Sequence, residues 1–179
     1  MTKFEKVNLL NYPIFFMTKE TKCPYLSNKS EKRLVTDLNN NPFLFDELSV
    51  SGFRRIENWM YRPSCNHCTE CKSYRVNIKK FSLTKSLKRV KKNNLEVDTL
   101  LKTNIASEEY YDLFSSYQNR RHTGSSMSNM QFEDFKSMID TSPINTQLYE
   151  FRNRDKKLIG LMLFDYQKDG LSAVYSFYD

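Results

Sequence analysis

The sequence predicts an α+β protein with an antiparallel sheet, and three observations carry that expectation. Three strand-like segments, Thr146–Arg152, Lys157–Tyr166 and Leu171–Tyr178, are separated by Asn153-Arg154-Asp155 and Lys168-Asp169-Gly170, which carry hairpin chemistry. Ser107, with Glu108 and Glu109 in the first turn, opens a helix through Tyr110, Leu113, Phe114 and Tyr117. Cys65, Cys68 and Cys71, three of the 4 cysteines, stand at equal spacing in a loop between two strand-like stretches.

In chain order, Tyr12–Met17 is apolar and aromatic and reads as a strand, with a turn at Cys23-Pro24-Tyr25-Leu26. After Leu34, Val35, Leu38 and an Asn run, Asn41 is placed to cap a short helix through Leu48, with Pro42 at its first position. Gly52 follows where a chain leaving a helix often needs positive φ. Phe53–Tyr61 and Tyr74-Val76-Ile78 read as strands flanking the cysteine loop. Ser82 is placed to cap a basic helix to about Asn93, whose Leu83, Leu87 and Val90 form one thin packing stripe. A strand at Leu95–Asp98 precedes the Ser107 helix, which exits through the polar Asn119–Met127. Phe132–Ile139 is a short amphipathic helix. The last strand reaches Asp179 without a break; a sheet stopping there leaves an open edge, so a further C-terminal portion is expected.

Hydrophobic content of 39% and charged content of 27% over 179 residues suit a globular chain that folds without disulfides. A net charge of +7 favours an anionic partner, nucleic acid first, with a basic surface kept for solubility as the alternative. No apolar run approaches the roughly 20 residues of a membrane helix. The segment containing Lys3, Glu5 and Lys6 lacks the apolar core of a secretory signal. The cysteines are therefore expected as thiols or metal ligands in a reducing cytoplasm.

Cys65, Cys68 and Cys71 with the remote Cys23 resemble a three-plus-one iron–sulfur set more than the paired pairs of a zinc ribbon. Zinc, with His67 replacing one thiol, and four reduced thiols partly filling the core are the alternatives. His67 and His122 are the only histidines, and neither a serine elbow nor a Gly-rich phosphate fingerprint is present. Arg120-Arg121-His122 stands out instead. An arginine fork takes a carboxylate or phosphate through two parallel hydrogen bonds, although adjacent arginines at a helix end also complement its dipole. Lys85, Lys88, Arg89, Lys91 and Lys92 sit in a run without acidic residues, as a polyanion contact or a solvated helix face.

These residues together resemble the aminoacyl-tRNA–protein transferases, and specifically their bacterial aspartate/glutamate leucyltransferase branch. The matching stretches are Phe15-Phe16, Cys23-Pro24-Tyr25-Leu26, Gly52-Phe53-Arg54-Arg55, Tyr61-Arg62-Pro63-Ser64-Cys65 through Cys71, Arg75-Val76, Arg121-His122, Met127 and Tyr175-Ser176-Phe177-Tyr178-Asp179. They keep the family's order across nearly the whole chain. Leu26, standing where arginyl relatives tend to have a second thiol, favours the leucyl branch.

The resemblance implies a small cysteine-bearing domain, taken as 1–79, and an acetyltransferase-like (GNAT) domain, taken as 80–179. The second is incomplete, since the family continues past Asp179 with a helix and further strands. The implied activity is transfer of leucine or arginine from charged tRNA to an N-terminal Asp or Glu, marking the acceptor protein for proteolysis. Arg120, Arg121 and His122 would then hold the acceptor, and Tyr175, Tyr178 and Asp179 would border the reacting ester. Lys85, Lys88, Arg89, Lys91 and Lys92 would meet tRNA phosphates, and an iron–sulfur cluster becomes a possibility for Cys23, Cys65, Cys68 and Cys71.

That chemistry suits the residues. An aminoacyl ester is already activated, so a free amine attacks it without a protein nucleophile, and the enzyme supplies register and oxyanion stabilisation. Two other classes compete. A small-molecule N-acetyltransferase would want a Gly-rich turn for its coenzyme, whereas Gly52, Gly124, Gly160 and Gly170 are isolated. A non-catalytic RNA-binding module, or an inactive fragment, would keep the basic surface without transfer.

Overall fold

The computed structural model describes residues 13–179. Tyr12, at the head of the expected first strand, and Lys3, Glu5 and Lys6 lie outside the described residues. Two compact units divide the chain, one ending at Lys72 and the other spanning Ser73–Asp179; the sequence places the division between 79 and 80. Both combine helix with antiparallel sheet, so the protein is α+β.

The first unit contains strands β1 (Phe15–Met17), β2 (Thr21–Lys22), β3 (Ser30–Glu31) and β4 (Arg33–Asp37), helix α1 (Phe45–Val50), then β5 (Arg54–Ile56) and β6 (Trp59–Pro63). Its main sheet runs β1-β4-β6-β5, antiparallel throughout, while β2 and β3 form a separate hairpin around Cys23. Leu38, Phe45, Leu48, Phe53 and Met60 are buried beside it. Pro42 opens a 3-10 turn that leads into α1, but Asn41 gives no side-chain cap, and its buried Oδ1 has no partner among the described residues. Gly52 takes φ +86°, as the helix exit requires.

The single strand expected over Phe53–Tyr61 is instead the β5–β6 hairpin. Glu57 adopts φ +49°, and the Asn58 carbonyl accepts the Leu38 N–H at 2.8 Å. A left-handed glutamate is uncommon and announces no turn in sequence.

The second unit contains α2 (Lys85–Asn93), β7 (Asp98–Thr103), α3 (Glu108–Arg121), α4 (Phe132–Asp140), β8 (Thr146–Arg152), β9 (Leu158–Gln167) and β10 (Gly170–Tyr178). Its sheet runs β10-β9-β8-β7, each neighbour antiparallel. The three C-terminal strands and α4 fall within a residue of their expected bounds, while α3 continues past Tyr117 to Arg121. Ser107 caps α3 by accepting the Tyr110 N–H at 3.3 Å. Phe114, Phe135 and Phe177 close the core between helices and sheet, with ring centroids 5.0 and 5.4 Å from Phe114, alongside Leu148, Leu161 and Leu163. Each such burial contributes about 1.5–3 kcal/mol.

Three expectations before α3 fail for related reasons. Tyr74-Val76-Ile78 forms no strand; it is irregular up to a 3-10 turn at Ile78–Lys80, and every residue is exposed. Alternation specifies a strand only where one face is buried, and here neither is. Thr84 rather than Ser82 caps α2, and the Leu83, Leu87 and Val90 stripe stays solvent-exposed at 37, 39 and 49% instead of packing. Residues 94–96 form a turn, so β7 begins at Asp98, where the expected strand ends.

Candidate active site

Helix α3 is built to deliver its last turn to the sheet. Its N-terminus is fixed by the Ser107 cap and by a polar network: Tyr110 Oη donates to Glu150 Oε1 (2.5 Å), Arg152 Nε donates to Glu150 Oε2 (3.0 Å), and the Arg152 fork spans both Glu109 oxygens (2.8 and 2.7 Å). Burial pushes the Glu150 carboxyl up, but the Arg152 and Tyr110 hydrogen bonds outweigh it, and the group lies below its ordinary range. Burial, then the Glu150 bond, raises the Tyr110 hydroxyl. The C-terminus of α3 ends at His122, whose N–H bonds the Gln118 carbonyl at 2.8 Å, and Gly124 at φ +79° turns the chain away.

That last turn meets the end of β10. Arg120 Nη2 donates to Asp179 Oδ1 at 2.7 Å, and Lys157, just ahead of β9, donates from Nζ to Oδ2 at 2.8 Å. The Lys157 and Arg120 hydrogen bonds hold the Asp179 carboxyl down at about 2. It is therefore a very weak base, unsuited to taking a proton from an amine of pKa near 8. Its geometry orients the two cations instead.

Arg121 is arranged differently. Its guanidinium carbon lies 5.6 Å from the Tyr178 ring centroid, and it joins no ion pair or side-chain hydrogen bond among the described residues. Tyr178 packs 5.1 Å from Tyr117, whose ring lies 5.4 Å from His122 and whose hydroxyl is 3.4 Å from His122 Nε2. The structure thus gathers Arg120, Arg121, His122, Tyr178 and Asp179 in one place. Tyr175 packs, partly buried, against the core beside the register shift at Ala173/Tyr175. Tyr117 was not among the expected site residues. Its i, i+4 spacing to Arg121 is the signal that places it on the same helix face. A cleft of about 240 Å³, lined by Glu109, Asp112, Leu113, Ser116, Lys157, Leu158 and Asp179, opens beside this cluster.

The Asp179 arrangement makes a direct prediction. The carboxyl should titrate near 2 by carbon-detected NMR, and in Lys157→Ala or Arg120→Ala move up toward the ordinary 3.8. Because the folded value is depressed, the pairing stabilises the fold above pH 3.8 and is lost as pH falls through 2. An unmoved midpoint in both variants would show that neither cation holds it.

On α2, Lys85, Lys88, Arg89, Lys91 and Lys92 are all exposed, and none has an acidic partner among the described residues. Thr84 Oγ1 fixes the helix start by accepting the Leu87 N–H at 3.3 Å.

In the first unit, Cys23 follows β2, and Cys65, Cys68 and Cys71 follow β6. Cys65 Sγ lies 3.7 Å from the Lys32 carbonyl, and all four are free thiols. No three His, Cys, Asp or Glu side chains converge as a metal-binding group among the described residues. No described helix is long and apolar enough to cross a membrane.

Comparison with known proteins adds to this geometry. The family described as arginine-tRNA-protein transferase, N terminus, matches residues 21–89, and its C-terminal counterpart matches residues 109–179. Aspartate/glutamate leucyltransferases of Ruegeria pomeroyi, Granulibacter bethesdensis and Rhodospirillum rubrum are 39, 38 and 40% identical over 93, 92 and 95% of this chain. The chain spans 62% of the first two relatives and 70% of the third.

Proposed function

Because this chain belongs to the arginine-tRNA-protein transferase family, we propose that it transfers leucine or arginine from charged tRNA to the N-terminal Asp or Glu of acceptor proteins. Such a transfer marks the acceptor in an N-degron proteolysis pathway. The observation that carries this reading is Arg121, a guanidinium fork held by Tyr178 with no acidic partner among the described residues. It is free to take the acceptor's carboxylate through two parallel hydrogen bonds. Arg120, already engaged by Asp179, adds positive charge beside it.

The acceptor's neutral α-amine attacks the aminoacyl ester carbonyl, forming the amide as the ester C–O bond breaks. The proton lost by nitrogen balances the one gained by the ribose oxygen. His122 contributes to acceptor binding, and Tyr175 and Tyr178 border the ester. Asp179 is a positioning residue for Arg120 and Lys157. The ester is already activated, so these steps draw on no cofactor. The basic face of α2 takes tRNA phosphates.

The consecutive antiparallel strands backed by α3 and α4, with a register shift in β10, support reading the second unit as part of an acetyltransferase-like (GNAT) fold. A cytoplasmic setting accords with four free thiols and a tRNA substrate.

The test is mass spectrometry of peptides beginning with Asp, Glu or Ala after incubation with leucyl- and arginyl-tRNA. Addition of one residue mass to the acidic peptides is expected. Arg121→Ala should lower the Asp-over-Ala preference roughly 10- to 100-fold, as for a charged hydrogen bond worth about 1.5–3 kcal/mol. Arg121→Lys, which keeps charge but loses the fork, should recover only part. An unchanged preference in Arg121→Ala rules out the assignment. The basic helix alone also favours a non-catalytic RNA-binding module, which tRNA binding without any mass addition would support.

A further inference from the structure

The geometry points to Tyr74 and Phe81 as a stacking platform for unpaired bases at the 3′ end of the charged RNA, an inference that rests on the transferase reading above. Tyr74 is 89% and Phe81 50% exposed. Neither ring enters a ring–ring or cation–π contact among the described residues. Their backbone is nonetheless anchored. Arg75 donates to Asp169 Oδ1 at 2.6 Å and to Gln167 Oε1 at 3.3 Å, tying the residue after Tyr74 to the β9–β10 turn. Asn77 Oδ1 accepts the Lys79 N–H at 3.1 Å, and the Phe81 N–H reaches the Ile78 carbonyl at 3.2 Å. Both rings thus face solvent, Tyr74 in the irregular stretch before the Ile78–Lys80 turn and Phe81 directly after it.

The charge along the same segment names the partner. Lys79, Lys80, Lys85, Lys88, Arg89, Lys91 and Lys92 surround the rings in sequence, and no acidic residue occurs between Lys72 and Leu95. Protein partners and duplexes offer no row of unstacked flat faces beside a polyanionic backbone. Single-stranded RNA does, and proteins that hold it combine aromatic platforms with cationic tracks. A transferase acting at the 3′ terminus must hold that unpaired end, and Tyr74 and Phe81 supply its base contacts while α2 supplies its phosphate contacts.

The experiment uses fluorescence anisotropy of this chain with an uncharged RNA hairpin carrying a short unpaired 3′ tail, and with the same hairpin blunt-ended. Wild type should prefer the tailed hairpin by about 10-fold or more, the scale of one stacked base. Tyr74→Ala/Phe81→Ala should abolish that preference and leave blunt-hairpin affinity and the circular dichroism spectrum unchanged, while Tyr74→Trp should retain it. Equal binding of both hairpins by wild type, or a preference surviving in the double variant, overturns the platform. So does binding to phosphatidylserine vesicles that the double variant loses while tailed-RNA binding persists. A tail preference that disappears as stated, without mass addition to any peptide, sinks the transferase reading and leaves the platform standing. Mass addition with no tail preference does the reverse.

Discussion

Arg152→Ala is expected to destabilise the second unit by about 3–5 kcal/mol, the cost of leaving a buried carboxylate unpaired. Glu150 is only 4% exposed and keeps two oxygens satisfied through Tyr110 and Arg152; alanine leaves one of them without its cation. The partner on the other side of Arg152 matters far less. Glu109 is half-exposed, so Glu109→Gln should cost under about 1 kcal/mol. Urea denaturation measures both, and similar midpoints for the two variants would refute the asymmetry. Glu150→Gln/Arg152→Met, which removes both charges, should recover much of the loss. The wild-type contribution has a definite acid limb. Glu150 lies below its ordinary 4.5 in the fold, so its stabilisation is present above that pH and disappears on acidification.

The second large effect is electrostatic. Reversing three charges in Lys88→Glu/Arg89→Glu/Lys92→Glu should flatten the dependence of log K on log salt for RNA binding by about 2, since each phosphate contact contributes roughly 0.7–0.9 to the slope. The helix itself should survive, because no residue of α2 is buried. Anisotropy titrations over a salt series, with circular dichroism as the control for folding, decide the matter. A slope that does not change removes this face from the RNA contact.

Much of the second unit was legible in sequence because its signals are local. Ser107 with its acidic turn marks the start of α3, and Asn153-Arg154-Asp155 and Lys168-Asp169-Gly170 mark the hairpins. The misses come from conformations with no local signature. Glu57 turns left-handed where nothing in its chemistry demands it. Tyr74, Val76 and Ile78 alternate like a strand but find no neighbour to pair with. Ser82 and Thr84 are both competent caps, and residue type alone does not choose between them.

The candidate site shows the same division. Arg120 and Arg121 announce a carboxylate-binding fork, yet their sequence cannot say which is engaged, because Asp179 lies 59 residues away. Tyr117 reads as a core aromatic until its ring meets Tyr178 and His122. The cysteine spacing names a ligand type, while convergence on a metal is a three-dimensional property.

The salt link between positions 120, 157 and 179 has a consequence for biogenesis. A ribosome exposes both arginines well before it finishes the strand that ends in tyrosine and aspartate. Until that strand docks, the two guanidinium groups are chemical equals; its arrival claims one and leaves its neighbour available. The division of labour between them is thus settled only once the β9–β10 hairpin has closed.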